Sequence, residues 1–346
     1  MYIAVGVSRG GDKNKGYVKV YSKQGGANWS TMQHIDGKGN WNRFGFSVDL
    51  SEDGSIMAIT SRNRTAYVYQ LSTTSSIPEY EEIFDEGCNA REVAVSPDGS
   101  VVAVALDDSN GNIGAKIFER NGVTFQQRGV DLSDSGKSGG IALSKNGSRI
   151  VLADRDGRGR VWVLDWDDVE ERWVPIGSII EGENNGDNLG FGECVSITHD
   201  GKFISIGAPR YDQNGRNKGL VRVYKYKPKQ NRYKKIGDDL IGDNVEDKFS
   251  TNALSSDGTY LIVGAYGGDG ADYLKIFKKD GNNYNQIGAN IIGEGGQFAY
   301  AVDMSSDGSK FVVGSNLPND EGKAYLYVSP PTGNGNGGKH HDIVYK

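Results

Sequence analysis

The sequence predicts an all-β fold of tandem four-stranded sheets, and three observations carry that expectation. Turns of one type recur at Asp53-Gly54, Asp98-Gly99, Asn146-Gly147, Asp200-Gly201, Asp257-Gly258 and Asp307-Gly308, spaced by 45, 48, 54, 57 and 50 residues. Asp-Gly and Asn-Gly suit a two-residue hairpin turn, whose central positions both need φ > 0. Each turn lies between two short apolar strands, and no stretch keeps a helical 3.6-residue apolar period beyond a turn or two. A period near 50 made only of strands is that of a β-propeller, one sheet per repeat.

Aligned on the turns, the repeat has four strands. Strand a is short and rich in small residues: Phe46–Leu50, Val93–Ser96, Gly140–Leu143, Cys194–Ile197, Thr251–Leu254 and Ala301–Met304. Strand b, after the turn, alternates with the period of two of a pleated sheet, as in Val101–Ala105 or Tyr260–Gly264. Strand c carries aromatic and β-branched residues, for example Tyr67-Val68-Tyr69 and Val221-Arg222-Val223-Tyr224, and strand d is the most polar, as an outer edge should be. The chain opens within this pattern, with Tyr2–Val7 as a b strand and Tyr17–Tyr21 as a c strand, so seven blades follow but only six a strands are evident. The repeats run unbroken, which predicts one propeller domain over residues 1–328, with 329–346 as a Gly/Asn-rich connection and closing strand. Asp342–Tyr345 could be strand a of the first blade or strand d of the last. The 17 residues from Leu326 to Ile343 favour d. An absent inner strand would expose a hydrogen-bonding edge, which favours a, and closure of the ring is the reading taken.

The segment Phe191-Gly192-Glu193-Cys194-Val195-Ser196-Ile197, with Ile206-Gly207-Ala208-Pro209 and Leu220–Tyr224, resembles the FG-GAP repeat of integrin-α-type propellers. It is closer still to the short-turn FG-GAP-like arrays of algae, marine microbes and their viruses. Phe44-Gly45 with Leu50–Gly54, and Gly264-Ala265-Tyr266, match in part. The resemblance implies the propeller architecture and a surface or virion setting. FG-GAP repeats of integrins often hold Ca²⁺ on a loop between the first two strands. Here the short Asp-Gly turn occupies that position, so no tight Ca²⁺ site and no cofactor are expected; the strings at Asp12, Asp107 and Asp212 read as turn chemistry.

Composition narrows the function. The formal charge is −6, with Lys and Arg scattered among Asp and Glu, which argues against nucleic acid or an anionic membrane as partner. No run approaches the roughly 18 apolar residues of a membrane span, and Met1–Val7 reads as a strand rather than a signal-peptide core; the compartment stays open. Cys88 and Cys194 stand two blades apart, too far for a disulfide, and the sequons at Asn28, Asn63 and Asn146 are uninformative in an Asn-rich chain. His34, His199, His340 and His341 lack neighbours for a zinc site, and no nucleophile elbow, phosphate loop or paired-carboxylate motif occurs. No catalytic residue is therefore assigned.

In a propeller the d–a and b–c loops gather on one face. The b–c loops vary from Ser61–Thr65 to Ala208–Gly219, and variable loops on a rigid scaffold are where binding surfaces lie. That face carries Trp41, Arg62, Arg64, Asp107, Arg210, Tyr211 and Asp212, rich in the types that dominate interfaces. The leading expectation is a non-enzymatic scaffold that binds a protein or glycan there. A carbohydrate-binding lectin and an enzyme with its site at the channel mouth are the alternatives.

Overall fold

The recurring turn is held by side chains as much as by backbone. At Ser51–Ile56 the Ser51 hydroxyl donates to Asp53 Oδ1 at 2.7 Å, Ser55 N–H donates to the same oxygen at 2.9 Å, and Ile56 N–H donates to Ser51 Oγ at 3.0 Å. The pattern returns at Ser96/Asp98/Ser100, Thr198/Asp200/Lys202, Ser255/Asp257/Thr259 and Ser305/Asp307/Ser309. Only the glycine takes positive φ, as with Gly54 at 70° and Gly258 at 70°, while the preceding Asp or Asn does not. The loop is thus longer than the two-residue hairpin expected from the dipeptide, because the Asx side chain bonds its own backbone two residues on.

The computed structural model describes residues 1–23, 29–62, 65–71, 79–83, 89–107, 112–135, 138–192, 194–212, 215–268, 271–294, 296–316, 322–328 and 340–344. The fold is an all-β, seven-bladed propeller of antiparallel sheets. The first sheet has three strands, β1 (Tyr2–Val7), β2 (Tyr17–Ser22) and β3 (Ser30–Asp36). The second runs β4 (Val48–Leu50), β5 (Ile56–Ser61), β6 (Thr65–Gln70), β7 (Glu79–Glu82). The third has β8 (Asn89–Val95), β9 (Val101–Asp107), β10 (Asn112–Asn121), β11 (Thr124–Gln127) and β12 (Leu132–Ser135). The fourth has β13 (Ser138–Leu143), β14 (Arg149–Asp154), β15 (Arg160–Asp167), β16 (Arg172–Pro175) and β17 (Ile180–Glu181). The fifth runs β18 (Val195–Ile197), β19 (Phe203–Ala208), β20 (Leu220–Lys227), β21 (Arg232–Ile241), and the sixth β22 (Thr251–Leu254), β23 (Tyr260–Ala265), β24 (Tyr273–Asp280), β25 (Asn283–Gln286) with β26 (Ile291–Ile292). The seventh runs β27 (Phe298–Met304), β28 (Lys310–Asn316), β29 (Gly322–Val328), β30 (His340–Val344).

The outer strand d is broken in three sheets into two pieces that both pair with strand c. The break falls at Gly129, Gly177 and Gly288, all with positive φ, and Gly237 sits at the matching bulge of β21. The C-terminal strand corrects the expected closure. β30 pairs antiparallel with β29, Tyr327 opposite His340 through Lys323 opposite Val344, so it is strand d of the seventh sheet, and among the described residues the first sheet has three strands. The short connection favours this, since strand d is the direct neighbour of strand c in the same sheet, whereas the missing strand a belongs to another sheet.

By its contacts the chain falls into two units, residues 1–152 with 164–174, and 153–163 with 175–346. In the first, Val18, Phe44, Met57 and Ile59 fill the layer between the first two sheets, and Ile56, Val68, Val95, Val102 and Val104 the next. In the second, Phe203, Val221, Phe249, Leu261 and Val263 pack the fifth sheet on the sixth, and Ile262, Leu274, Phe298, Phe311 and Val313 the sixth on the seventh. Each such side chain contributes about 1.5–3 kcal/mol on burial. Short inner strands are also stitched by side chains: Val95 N–H donates to Asp49 Oδ2 at 2.7 Å, Val93 N–H to Ser47 Oγ at 3.2 Å, and Leu254 N–H to Ser196 Oγ at 3.1 Å. Cys194 is buried and forms no disulfide among the described residues, and Cys88 lies outside them.

Candidate functional site

The d–a loops share one frame. The backbone N–H groups of Gly37, Gly182 and Gly242 donate to the carbonyls of Gly16, Gly159 and Gly219, and seven residues later Phe44, Leu189 and Phe249 donate to Lys15, Arg158 and Lys218. Gly219 has φ 76°, and a Cβ there would lie 2.3 Å from the Phe249 nitrogen, so the loop can close only on glycine. Five residues after the first glycine stand Asn42, Asp187 and Asp247, each no more than 3% exposed.

The two carboxylates differ in their partners. Asp247 Oδ2 accepts from Asn244 N–H at 2.7 Å and from the Tyr273 hydroxyl at 2.5 Å. Asp187 Oδ2 accepts from Asn184 N–H at 2.7 Å and more weakly from Asn184 Nδ2 at 3.5 Å. Tyr273 opens β24 opposite Ala265; the matching residue of β20, opposite Ala208, is Leu220, which has no hydroxyl to offer. Burial pushes the Asp187 carboxyl above the ordinary aspartate range, the Glu183 and Asp212 charges add to this, and the Asn184 bonds offset it only in part.

Asp187 lines a cleft of about 720 Å³, bounded on one side by Asn184, Asn185 and Gly186 and on the other by Arg210, Tyr211, Asp212, Arg216 and Asn217. The second wall is ordered by Asp212, whose Oδ1 accepts Asn217 N–H at 2.7 Å, and by Glu246, which accepts from Asn217 Nδ2 at 2.8 Å and from Arg216 Nε. Behind it the Tyr211 hydroxyl reaches Glu183 Oε2 at 3.4 Å. Arg222 donates to Glu183 Oε1 at 2.5 Å and, through Nε and Nη2, to Asp239 at 3.0 and 2.7 Å. Burial alone would raise the Asp239 carboxyl, but the Arg222 and Lys235 hydrogen bonds hold it below its usual range. The exposed Arg210 guanidinium makes no hydrogen bond or ion pair among the described residues. The cleft therefore offers an open cation, several amides, and a desolvated carboxylate.

Of the residues expected on the loop face, Arg210, Tyr211 and Asp212 line this cleft. Trp41 is 64% exposed, and its loop meets Arg62, whose N–H donates to Asn42 O at 2.8 Å; the Arg62 guanidinium lies 5.4 Å from the Phe46 ring centroid. Asp107 is buried, accepting from Arg91 Nε at 2.8 Å and Ser138 N–H at 2.6 Å. Arg64 lies outside the described residues. Sequence reasoning missed Asn184, Asn185, Asp187, Arg216 and Asn217. The available signal was the spacing Gly-x-Asn-x-x-Asp, present at 182–187 and 242–247. Among the described residues no group of three or more His, Cys, Asp or Glu is placed to hold a metal ion, and no helix is long and apolar enough to cross a membrane.

No protein-family model matches the chain, and no curated protein matches it. Solved structures do. The periplasmic gluconolactonase of Pseudomonas aeruginosa superposes with a TM-score of 0.70 at 14% identity, over 98% of this chain and 94% of that one. A protein of Bacteroides uniformis, provisionally named a 6-phosphogluconolactonase, gives 0.68 at 13% identity over 99% and 94%. A chain of the mitotic checkpoint complex gives 0.62 at 14% over 95% and 87%. At these identities the likeness shows the fold alone. It nevertheless overturns the expectation of a non-enzymatic scaffold, because propellers matching nearly end to end include proteins named as lactonases. The missing nucleophile elbow was a poor ground for that expectation: hydrolysis needs only water, a base and a stabiliser of the developing oxyanion.

Proposed function

We propose that this chain is a hydrolase of a small, polyhydroxylated cyclic ester, a sugar lactone or its phosphate, bound in the Asp187–Arg210 cleft. The observation that carries this reading is that Asp187, held by Asn184 alone among the described residues, lacks the hydroxyl partner its counterpart has. In the sister loop Asp247 is engaged by the Tyr273 hydroxyl, whereas Leu220 leaves Asp187 desolvated and open to the cleft. A carboxylate of raised pKa is a better base, and the site suits the following sequence. Asp187 takes a proton from water, and the water oxygen attacks the ester carbonyl. The oxyanion forms against Arg210. The ring C–O bond then breaks, and the leaving oxygen takes the proton back from Asp187. The amides of Asn184, Asn185 and Asn217 suit sugar hydroxyls, and the names of the matching propellers support the substrate class. The FG-GAP-like ancestry of the repeat, carried by Phe191-Gly192 and Gly207-Ala208-Pro209, belongs to the same proposal.

The test is proton release from gluconolactone and its 6-phosphate above spontaneous hydrolysis. Asp187→Asn should lower kcat by about a hundredfold or more with little change in melting temperature, since Asn42 shows that asparagine fits this loop position. Arg210→Ala should lower kcat/KM by about tenfold or more. Turnover indistinguishable from the uncatalysed rate with both compounds, or an Asp187→Asn variant as active as the parent, refutes the reading.

A further inference from the structure

In an acidic chain, one stretch is exceptional: between Asp212 and Asp238 there are nine Lys or Arg and no Asp or Glu. Three of these are neutralised, Arg216 by Glu246, and Arg222 and Lys235 by Asp239. Of the other six, all but Lys218 concentrate at the turn end of β20 and β21 in the fifth sheet. Lys225 stands opposite Lys234 and Lys227 opposite Arg232 in the β20–β21 ladder. Like charges directly opposed across strands destabilise a sheet, and two consecutive such pairs on one face are not what stability would retain.

Lysines from three elements meet over one ring. Phe203 is opposite Lys225 in the β19–β20 ladder, and the Nζ atoms of Lys202, Lys225 and Lys279 lie 5.9, 5.6 and 4.2 Å from its ring centroid. Phe203 is 4% exposed, so the aliphatic stems pack around it while the three ammonium groups stand around its ring. In the sixth sheet Lys278 repeats the arrangement over Tyr260, at 5.7 Å. None of Lys202, Lys225, Lys227, Lys234 and Lys279 has an ion pair among the described residues. The nearest carboxylate in sequence to Lys202, Asp200, is taken by the Thr198 hydroxyl and the Lys202 backbone N–H. Desolvation, followed by the charges of Lys227, Lys202 and Lys279, depresses the Lys225 ammonium below the ordinary lysine range.

We propose that this cluster is a binding site for a compact polyphosphate, a small molecule bearing several phosphate groups. Three ammonium groups around one ring, beside the opposed pairs Lys225/Lys234 and Lys227/Arg232, match a dense anion better than an extended chain. Terminal phosphate groups, at about 1.5–2 charges each, supply that density. The site lies apart from the residues of the cleft, and the proposal does not depend on lactone hydrolysis.

Calorimetric titration of the full chain with tripolyphosphate, at low and at physiological salt, tests it. Saturable binding is expected, weakened by salt. Lys225→Gln and Lys279→Gln should each reduce affinity about tenfold, which is the loss of one charge-assisted hydrogen bond. Arg210→Ala should leave binding unchanged, which separates this site from the cleft. Both lysine variants should melt at or above the parent temperature, since each removes repulsion. Absence of saturable heat, or a Lys225→Gln/Lys279→Gln double variant that binds as tightly as the parent, overturns the proposal. Tighter binding of a sulfated disaccharide or of a single-stranded oligonucleotide overturns it too, and assigns the surface to that class instead.

Discussion

Replacing Ser255 by alanine tests whether the repeated turns hold the sheets together through their side chains. Ser255 is 1% exposed. Its hydroxyl donates to Asp257 Oδ1 at 2.8 Å and accepts Tyr260 N–H at 2.9 Å, at the point where β23 begins. Alanine leaves that N–H without its partner, at about 1–3 kcal/mol, and removes one donor from Asp257, at about 1 kcal/mol. Asp257 keeps its Thr259 bonds, at 2.8 Å from N–H and 2.5 Å from the hydroxyl, so the turn loosens without coming apart. The expected loss is about 2–4 kcal/mol, or a melting temperature lower by about 3–5 °C for a chain of this size. Ser256→Ala is the internal control: the Ser256 hydroxyl makes no bond among the described residues, and the change should stay within about 0.5 kcal/mol. Urea unfolding followed by tryptophan fluorescence reads both variants. If Ser255→Ala is no more destabilising than Ser256→Ala, backbone geometry alone holds the turn and the reasoning fails.

The last turn gives a pH signature. The Ser305 hydroxyl and the Ser309 N–H and hydroxyl lower Asp307 to about 2 from an ordinary 3.8, so its contribution is present above the unfolded value and is lost as pH falls through the folded one. Asp307 is exposed, so the effect is below about 1 kcal/mol; Asp307→Asn should shrink the fall in melting temperature between pH 4 and pH 2, and an unchanged fall would count against it. Removing residues 338–346 deletes β30, an outer strand paired among the described residues with β29 alone, and should lower the melting temperature slightly, by a few degrees at most; a collapse of stability would mean that the strand closes the ring after all.

Strand positions were legible because their signals are local. The Ser/Thr-x-Asx-Gly turn bonds itself within five residues, and the alternation of Val101–Ala105 or Tyr260–Gly264 declares a pleated strand without reference to any neighbour. Arg210, Tyr211 and Asp212 were within reach for a related reason: a long b–c loop is visible as a gap between two readable strands. The rest depended on which distant residues meet. Whether Asp342-Ile343 pairs with β29 or with the first sheet depends on strand neighbours, to which a hydrophobic pattern is indifferent. Asp187 and Asp247 occupy the same place in the same spacing, and only the side chain across the sheet, Leu220 or Tyr273, decides which is left open. Likewise the basic run after Asp212 reads as a scatter of charges until strand register sets Lys225 against Lys234 and packing brings Lys279 over Phe203. The sequence by itself determined the repeat, the turns and the alternation, since these rest on interactions between residues a few positions apart. The tertiary structure alone decided the pairing of the last strand, the open carboxylate and the convergence of the lysines, because a charge or hydrogen bond takes its value from the groups that surround it.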